Sequence, residues 1–273
     1  MSSATVAKEH LIKKGAEIVF IVANDALYIG ATRQVQAFEE FAFRDIARPG
    51  RDKRSGIMPP KLARMMINLA DMPGNGILLD PFCGSATVVM EAMTLGYQHI
   101  IASDNSDTAI SDTQKNIRWL ASRYTNKVPD VSQVKVIKGD VRNLASHLKP
   151  QSIDAIVTEP YLGPPLFAGM KASAIERISH DLAALYLSAF AQFAKVLKKS
   201  GKVVMIFPVF PLSGKLQFIE ILSDITKMGF AQKDLIPVGF MTNPNISLTS
   251  RKTILFGGDY KFLQREILKF ELQ

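Results

Sequence analysis

The chain has 273 residues, a hydrophobic content of 47% and a formal net charge of +8. This length suits one large domain, or one domain with an appendage. The longest apolar runs are too short to span a bilayer, and the first residues lack the apolar centre of a secretory signal. These properties argue against an integral membrane protein and predict a soluble, cytoplasmic one.

The basic residues indicate a polyanionic partner, most simply nucleic acid, with a generally basic surface as the alternative. They concentrate in the segment 44–64, which contains Arg44, Arg48, Arg51, Lys53, Arg54, Lys61 and Arg64. A single cysteine excludes an intramolecular disulfide framework and suits a reducing compartment. The four histidines are scattered and give no zinc spacing with it, so no metal is expected.

Taken in chain order, residues 18–30 predict a hairpin of two short strands, and 33–44 a helix. The Pro- and Gly-rich segment 48–60 predicts a linker or an ordered loop, and Pro59 and Pro60 open a helix over 60–70. Strands and helices then alternate. The predicted strands are 76–80, 99–104, 133–140, 153–160, 202–208, 231–240, 251–258 and 265–271. The predicted helices are 85–95, 106–122, 177–198 and 213–228, with a short turn or helix at 142–148.

Continuous apolar strands that alternate with helices predict an α/β fold, in which helices cover both faces of a mostly parallel sheet. The last pair of strands is hairpin-like, and it adds an antiparallel strand at the C-terminus. Ligands of such sheets bind at the carboxyl ends of the strands. Successive strands end in Asp80, Asp104, Asp140 and Glu159. A single Asp at the end of a strand is explained as a helix N-cap. Four acidic residues at successive strand ends predict that they line one shared crevice.

Each of these positions suits part of S-adenosylmethionine. Gly84, Ser85 and Ala86 let a ligand approach the backbone, whose amides and following helix N-terminus favour a carboxylate or a phosphate. Asp104 follows Asp80 by 24 positions, close to the spacing of a carboxylate that binds ribose hydroxyls. Asp140 is placed to accept a hydrogen bond from an adenine amino group. An NAD site would need G-x-G-x-x-G and a P-loop would need Gly-Lys-Ser/Thr, and this turn has neither.

The segment DPFCGSAT at 80–87 resembles the D-P-F-C-G-S-G-T cofactor motif of class I methyltransferases that act on amino groups of nucleic acids. The run RPGRDKRSGIMPPKLARMMINLA before it is similar to the THUMP-associated RNA methyltransferases, and within these to the tRNA guanine-N2 methyltransferases. The resemblance covers roughly residues 25–270 and implies a Rossmann-like sheet of seven strands. We expect the cofactor to be bound by Asp80, Phe82, Gly84, Ser85, Thr87, Asp104, Asn105, Asp140 and Val141.

The catalytic motif implied by the resemblance is D/N-P-P-Y/F, but this chain has TEPYLG at 158–163. Glu159 replaces the Asp or Asn, Tyr161 replaces the second Pro, and Leu162 takes the aromatic position. Glu159 keeps a carboxylate acceptor, the Pro160 carbonyl supplies a second one, and Tyr161 or Phe167 would stack on an extruded base. The alternative is a rigid loop with Tyr161 packed in the core.

The position of Cys83 argues against methylation at C5 of a pyrimidine, which commonly uses a cysteine nucleophile. Cys83 lies in the cofactor turn, where the resembling family also has Cys, and a buried apolar role is expected. This favours an exocyclic amino nitrogen as the target.

Residues 1–50 are expected to be an extension or the remnant of a linker to an RNA-binding domain, and 51–273 to form the methyltransferase domain. The residues before the motif are too few for the THUMP domain that such proteins usually carry. Either the protein lacks it or a separate RNA-binding subunit supplies it, and Arg48, Arg51, Lys53 and Arg54 are expected to contact RNA. The leading hypothesis is an RNA methyltransferase acting on guanine N2 in tRNA. The alternatives are a DNA adenine-N6 or cytosine-N4 methyltransferase and a non-catalytic subunit that binds S-adenosylmethionine or RNA.

Overall fold

The computed structural model describes residues 2–15, 17–51, 58–125, 127–167, 170–212, 214–240, 247–257 and 262–273. The chain divides into two compact units, Met1–Ala47 and Arg48–Gln273. The boundary drawn from the sequence lay after residue 50, a few residues later. In the described ranges, no helix combines the length and the apolar character needed to cross a membrane.

The first unit contains a small antiparallel hairpin between short helices. Its elements are α1 (Ser3–Lys8), α2 (Leu11–Lys14), β1 (Ile18–Ala23), β2 (Ala26–Ala31) and α3 (Phe38–Ile46). Asn24 and Asp25 connect the two strands, and both have a positive φ, 48° and 60°. A turn with two left-handed residues matches the twist of paired strands, and Asn and Asp tolerate that conformation well. The hairpin predicted at 18–30 is therefore confirmed, whereas α3 begins later than predicted.

The second unit is built on one sheet with the strand order β10-β11-β7-β6-β3-β4-β5. The strands are β3 (Ile77–Asp80), β4 (His99–Asp104), β5 (Val134–Lys138), β6 (Ile153–Thr158), β7 (Leu197–Leu212), β8 (Lys215–Gln217), β9 (Phe230–Lys233), β10 (Ile254–Phe256) and β11 (Gln264–Leu272). The pairs from β7 to β5 are parallel, and β11 pairs antiparallel with β7 and with β10. β8 extends the sheet beside β7, and β9 pairs with β11. The predicted parallel sheet with an antiparallel C-terminal strand is confirmed.

Helices cover both faces of this sheet. They are α4 (Pro60–Ala70), α5 (Thr87–Thr94), α6 (Asp107–Arg123), α7 (Ala172–Val196) and α8 (Leu222–Lys227), with 3-10 turns at Val131–Gln133, Val141–Ser146 and Val238–Phe240. Side chains of a strand alternate between the faces, so Leu78 of β3 joins one apolar cluster and Leu79 the other. The first cluster contains Met66 of α4 and Leu120 of α6, and the second contains Phe190 of α7.

The prediction of a helix over 213–228 is wrong in its first half. Lys215–Gln217 forms β8, which folds back on the end of β7 so that Leu212 pairs with Lys215 and Phe210 with Gln217. β7 itself runs from Leu197 to Leu212, well beyond the predicted 202–208. The hydrogen bonds to β7 satisfy the backbone groups of β8. The residue pattern of 213–228 alone does not show that such a partner strand is available. Only Leu222–Lys227 remains helical.

Candidate active site

The carboxyl ends of four neighbouring parallel strands meet at one cavity of about 1120 Å³. Asp80, Asp104, Asp140 and Glu159, from the ends of β3, β4, β5 and β6, all line it. β3 lies between β4 and β6, so the chain switches direction across the sheet at this point, where open α/β sheets bind ligands. The structure thus brings the acids predicted from the sequence into one crevice.

Asp80 is a buried carboxyl group at the floor of the cavity. Its Oδ1 accepts hydrogen bonds from Thr158 Oγ1 at 2.6 Å and from the backbone N–H of Phe82 at 3.3 Å. Burial raises the pKa of Asp80 to about 7, and these hydrogen bonds oppose that rise. Asp80 therefore titrates near neutral pH and holds the start of the turn in place.

The turn after Asp80 exposes backbone to the cavity. Gly84 has a φ of +51°, and a Cβ added there would meet no atom within 4 Å, so the space beside it is open. Ala86 is also left-handed, with a φ of +68°, although it stands where the resembling motif has glycine. Such a conformation costs an alanine roughly 1–2 kcal/mol. The strain is held by packing, since Ala86 is fully buried.

Side chains of α6 brace this turn from behind. Thr113 Oγ1 donates to the carbonyl of Gly84 at 2.9 Å and lies 3.4 Å from Cys83 Sγ. Asn116 Nδ2 donates to the carbonyl of Ser85 at 2.8 Å. Cys83 is buried, and burial raises the pKa of its thiol far above the usual range. Cys83 thus has the packing environment expected from the sequence, not that of a nucleophile.

Asp104 connects the turn to the next strand end. Its Oδ2 accepts the N–H of Gly84 at 3.0 Å, and its Oδ1 accepts the N–H of Ser106 at 2.9 Å. Both oxygens are thereby oriented, and each retains a further lone pair for a hydroxyl donor. Asp104 can fix the shape of the cavity and accept a ligand hydroxyl at the same time.

Asp140 already has a partner in the protein. Arg142 donates from its backbone N–H to Oδ1 at 2.9 Å and from Nε to Oδ1 and Oδ2 at 2.9 and 3.1 Å. These hydrogen bonds lower the pKa of Asp140, so the carboxylate stays ionised. Arg142 lines the cavity beside it. An adenine amino group would therefore share Asp140 with Arg142, an arrangement that the sequence did not predict.

The remaining residues predicted to bind the cofactor also line the cavity. They are Phe82, Ser85, Thr87, Asn105 and Val141. Thr87 is buried and accepts a 2.5 Å hydrogen bond from Arg48 Nη1. Asn105 is exposed at the cavity rim, whereas Val141 is buried.

Glu159 forms an ion pair that local sequence spacing does not indicate. Its Oε1 accepts a hydrogen bond from Arg265 Nε at 2.6 Å. Arg265 belongs to β11, 106 positions along the chain, and it also lines the cavity. Burial raises the pKa of Glu159, and the positive charge of Arg265 opposes that rise. The sequence could predict this pair only if the position of β11 near the end of β6 were already known.

The loop after β6 presents an aromatic side chain to solvent. Tyr161 is 56% exposed and lines the cavity, which overturns the alternative that it packs in the core. Its carbonyl accepts a 2.7 Å hydrogen bond from Tyr186 Oη on α7, so the backbone of the loop is anchored. Leu162 packs against the apolar core, so it does not offer a stacking surface. Phe167 is 65% exposed and lies outside the residues that line the cavity.

The four basic residues predicted to contact RNA differ in their positions. Arg48 is buried against Thr87, which does not fit a direct RNA contact. Arg51 is partly exposed. Lys53 and Arg54 lie outside the described residues. Within the described ranges, no three His, Cys, Asp or Glu side chains are grouped so as to hold a metal ion.

Residues 49–209, more than half of the chain, match the family model described as RMKL-like, methyltransferase domain. The chain belongs to this family. The resemblance found in the sequence is therefore confirmed at the level of the family. The matched range of the methyltransferase domain includes the turn after Asp80 and the loop at Glu159, but not Arg265.

Two curated proteins illustrate what this chain is similar to. The tRNA (guanine(10)-N2)-dimethyltransferase of Methanocaldococcus jannaschii is 30% identical over 75% of this chain and 52% of its own length. The probable tRNA (guanine(10)-N2)-dimethyltransferase of Methanothermococcus thermolithotrophicus is 30% identical over 53% of this chain and 77% of its own. The chain thus spans about half the length of the first of these relatives.

Two solved structures share the fold. TrmN from Thermus thermophilus superimposes with a TM-score of 0.55 at 16% identity, covering 96% of this chain and 61% of that one. NSun6 from Pyrococcus horikoshii with SFG gives a TM-score of 0.56 at 16% identity, covering 92% of this chain and 60% of that one. At such low identity the likeness shows the fold alone.

Proposed function

We propose that this chain is an S-adenosylmethionine-dependent RNA methyltransferase that methylates an exocyclic amino nitrogen, with guanine N2 of tRNA as its substrate. One observation carries the proposal. The backbone turn at Gly84 and the loop at Glu159 and Tyr161 line the same cavity. A donor held at the first and a base held at the second would share one space.

The chemistry of the cavity fits the cofactor. Gly84 leaves open space beside the backbone, where a carboxylate would meet the amides of the turn and the N-terminus of α5. Asp104 offers an oriented carboxylate to ribose hydroxyls, and Asp140 offers one to the adenine amino group, shared with Arg142. A volume of about 1120 Å³ leaves room for a base as well. When bound, S-adenosylmethionine supplies an electrophilic methyl group on a sulfonium and leaves as a neutral thioether.

Glu159 and Pro160 supply two hydrogen-bond acceptors for the exocyclic amine, which is a weak nucleophile. The lone pair of an exocyclic amine is delocalised into the ring, so its hydrogens must be held to turn the lone pair outward. The Glu159 carboxylate and the Pro160 carbonyl act as the two acceptors, which gain rate by positioning and electrostatics. With the donor bound, a bond would form between the amine nitrogen and the methyl carbon as the bond to sulfur breaks, and Glu159 would take the proton that the amine loses and release it to water.

Tyr161 supports the base during this step. Its ring is exposed at the cavity while its carbonyl is anchored by Tyr186, so the loop is fixed and the ring is accessible. A base extruded from its stack would recover stacking energy on such a ring.

RNA is preferred over DNA because the curated relatives carry tRNA methyltransferase names. The net charge of +8 favours a polyanionic partner of either kind. Of the four basic residues predicted to contact RNA, Arg51 is partly exposed and Arg48 is buried in the described part of the chain. A separate RNA-binding subunit stays a prediction.

Calorimetry with S-adenosylmethionine and labelled-methyl transfer to unmodified tRNA and to DNA test the proposal. We expect cofactor binding, transfer to tRNA, and N2-methylguanosine among the nucleosides released by digestion. Transfer to DNA alone would support an adenine-N6 or cytosine-N4 methyltransferase instead. Binding without turnover on either would support a non-catalytic subunit, the second candidate, which the departures from the catalytic motif at Glu159 and Leu162 favour.

A further inference from the structure

We infer that Arg265 is the positioning residue for Glu159, and that these two side chains act as one unit in methyl transfer. The inference rests on the proposed function, which assigns Glu159 to the base amine. Arg265 lies on β11, outside the range matched by the family model, so the family assignment says nothing about it.

The geometry of the pair is fixed by the sheet. β11 runs antiparallel to β7, with Arg265 opposite Pro208, and it pairs on its other side with Phe256 of β10. Arg265 is therefore held by a strand that has partners on both sides. From this position Nε lies 2.6 Å from Glu159 Oε1, and the two side chains are only 11% and 14% exposed. Among the described residues, no hydrogen bond engages Glu159 Oε2.

The pair compensates for the departure from the catalytic motif. Glu159 has one more methylene and one more rotatable bond than the Asp or Asn of that motif, so it must be held to present an acceptor in one place. A hydrogen bond from the rigid guanidinium to Oε1 restricts the position of that oxygen and leaves Oε2 for another donor. Arg265 thus restores the orientation that the shorter side chain has without help.

The charge of Arg265 also favours the ionised form of Glu159 over the protonated form that burial favours. Burial favours the protonated form of a carboxyl group, and protonation would replace one acceptor with a donor. A protonated Glu159 would keep one acceptor oxygen but would lose the negative charge that strengthens a hydrogen bond from the amine. Without the guanidinium, the desolvated carboxyl group would take up a proton at a higher pH.

Four variants separate positioning from simple structural pairing: Arg265→Gln, Arg265→Lys, Glu159→Gln and the double variant. Arg265→Gln is expected to lower kcat about 100-fold, the effect of a misplaced catalytic group, with an unchanged Kd for S-adenosylmethionine. Arg265→Lys keeps the charge but loses the planar donor, so it recovers part of this loss. Adding Arg265→Gln to Glu159→Gln should cost no further activity, since the partner is already gone.

The pH profile gives a readout that a structural role would not move. Asp80, whose pKa is raised to about 7, and Tyr186 are titratable groups that interact with Glu159, so Asp80 also shapes the acid side of the profile. The part of the acid limb that comes from Glu159 moves to higher pH in Arg265→Gln, because the pKa of Glu159 rises. Arg118→Gln is the matched control, since it removes an exposed guanidinium from α6, away from the cavity. Its acid limb stays at the wild-type position. An unmoved limb in Arg265→Gln, or losses that multiply in the double variant, would overturn the inference.

A carboxyl titration distinguishes this inference from the proposed function. Carbon-13 NMR of protein labelled at glutamate side-chain carboxyl groups follows Glu159 directly, and its signal is assigned by its loss in Glu159→Gln. An upward shift of this titration in Arg265→Gln, and a smaller one in Arg265→Lys, supports the pair even if the wild type transfers no methyl group. If the wild type transfers methyl groups but the pKa of Glu159 is the same in the wild type and in both Arg265 variants, the pair is refuted and the proposed function is not. If Arg265→Gln does not fold, the Lys variant decides by the same two measurements.

Discussion

Thr158 donates a 2.6 Å hydrogen bond to Oδ1 of Asp80, and this bond joins the ends of the neighbouring parallel strands β6 and β3. The turn at Gly84 follows the end of β3 and Glu159 follows the end of β6, and both line the cavity. Asp80 also makes the cavity sensitive to pH. Burial raises its pKa to about 7, well above the value near 4 of an unfolded Asp.

Asp80→Asn is expected to stabilise the protein at alkaline pH. Between about pH 4 and 7 the folded state keeps a proton on Asp80 that the unfolded state has lost, so wild-type stability falls as pH rises. The slope from this group is at most about 1.4 kcal/mol per pH unit. Asparagine is neutral throughout, and its Oδ1 still accepts from Thr158. Denaturant unfolding of both proteins across this range should give a difference that grows with pH and levels off above about 7.

Thr158→Val is the companion variant, because it removes the hydrogen bond that favours ionised Asp80. It should raise the pKa of Asp80 further and extend the loss of stability to higher pH. A stability difference between wild type and Asp80→Asn that does not change with pH would show that Asp80 is ionised at ordinary pH.

Gly84→Ala should impair cofactor binding more than it impairs the fold. An alanine at a φ of +51° costs about 1 kcal/mol of stability, and its methyl group would project into the open space where the donor is proposed to bind. We expect the Kd for S-adenosylmethionine to rise by about tenfold or more, equivalent to about 1.4 kcal/mol. Calorimetry measures the binding and thermal unfolding measures the stability.

Gly96→Ala is the matched control for this variant. Gly96 has a φ of +88°, an added Cβ would meet no atom within 4 Å, and the residue lies outside the cavity. It should lose a similar amount of stability while its Kd stays at the wild-type value. Equal losses of cofactor affinity in the two variants would contradict the placement of the donor beside Gly84.

The strand-end acids could be predicted from the sequence because their signal is local. Each follows a short apolar run, and parallel strands bring their carboxyl ends to one edge wherever the chain order places them. The hairpin at Asn24 and Asp25 was equally local, since its turn residues suit the required backbone conformation. Both predictions needed only the chain within a few residues of the feature.

The partners of those acids could not be predicted, because they depend on which strands become neighbours. Arg265 reaches Glu159 from 106 positions away, and Tyr186 reaches the carbonyl of Tyr161 from α7. β8 was mistaken for helix because its partner, the extended end of β7, was not visible in the pattern of its own residues. The burial of Arg48 follows from its contact with Thr87, 39 positions away.

Tyr161→Ala should weaken RNA methylation without changing cofactor binding. The ring of Tyr161 is exposed at the cavity, and loss of one base–aromatic stack costs about 1–3 kcal/mol. The expected fall in kcat/KM for tRNA is about tenfold or more. Tyr161→Phe keeps the ring and should retain most of the activity. Steady-state transfer to tRNA compares the two variants, and equal activity in both would exclude stacking on this residue.

Substitution of Arg51 should change RNA affinity and substitution of Arg48 should change stability, although both residues belong to the same basic segment. Arg51 is partly exposed, so Arg51→Gln is expected to weaken tRNA binding and to reduce its salt dependence by about one released counterion. Arg48 is buried and donates to Thr87, so Arg48→Gln should lower the free energy of unfolding by about 1.5–3 kcal/mol.

Filter binding at several salt concentrations and denaturant unfolding, applied to both variants, check this division. Arg48→Gln, measured where it is still folded, should keep the wild-type salt slope, because its guanidinium does not face solvent. Arg51→Gln should keep the wild-type unfolding midpoint, because a partly exposed charge contributes little to stability. A salt slope that falls in Arg48→Gln and stays constant in Arg51→Gln would contradict the assignment, because it would show that Arg48 contacts the RNA and that Arg51 does not.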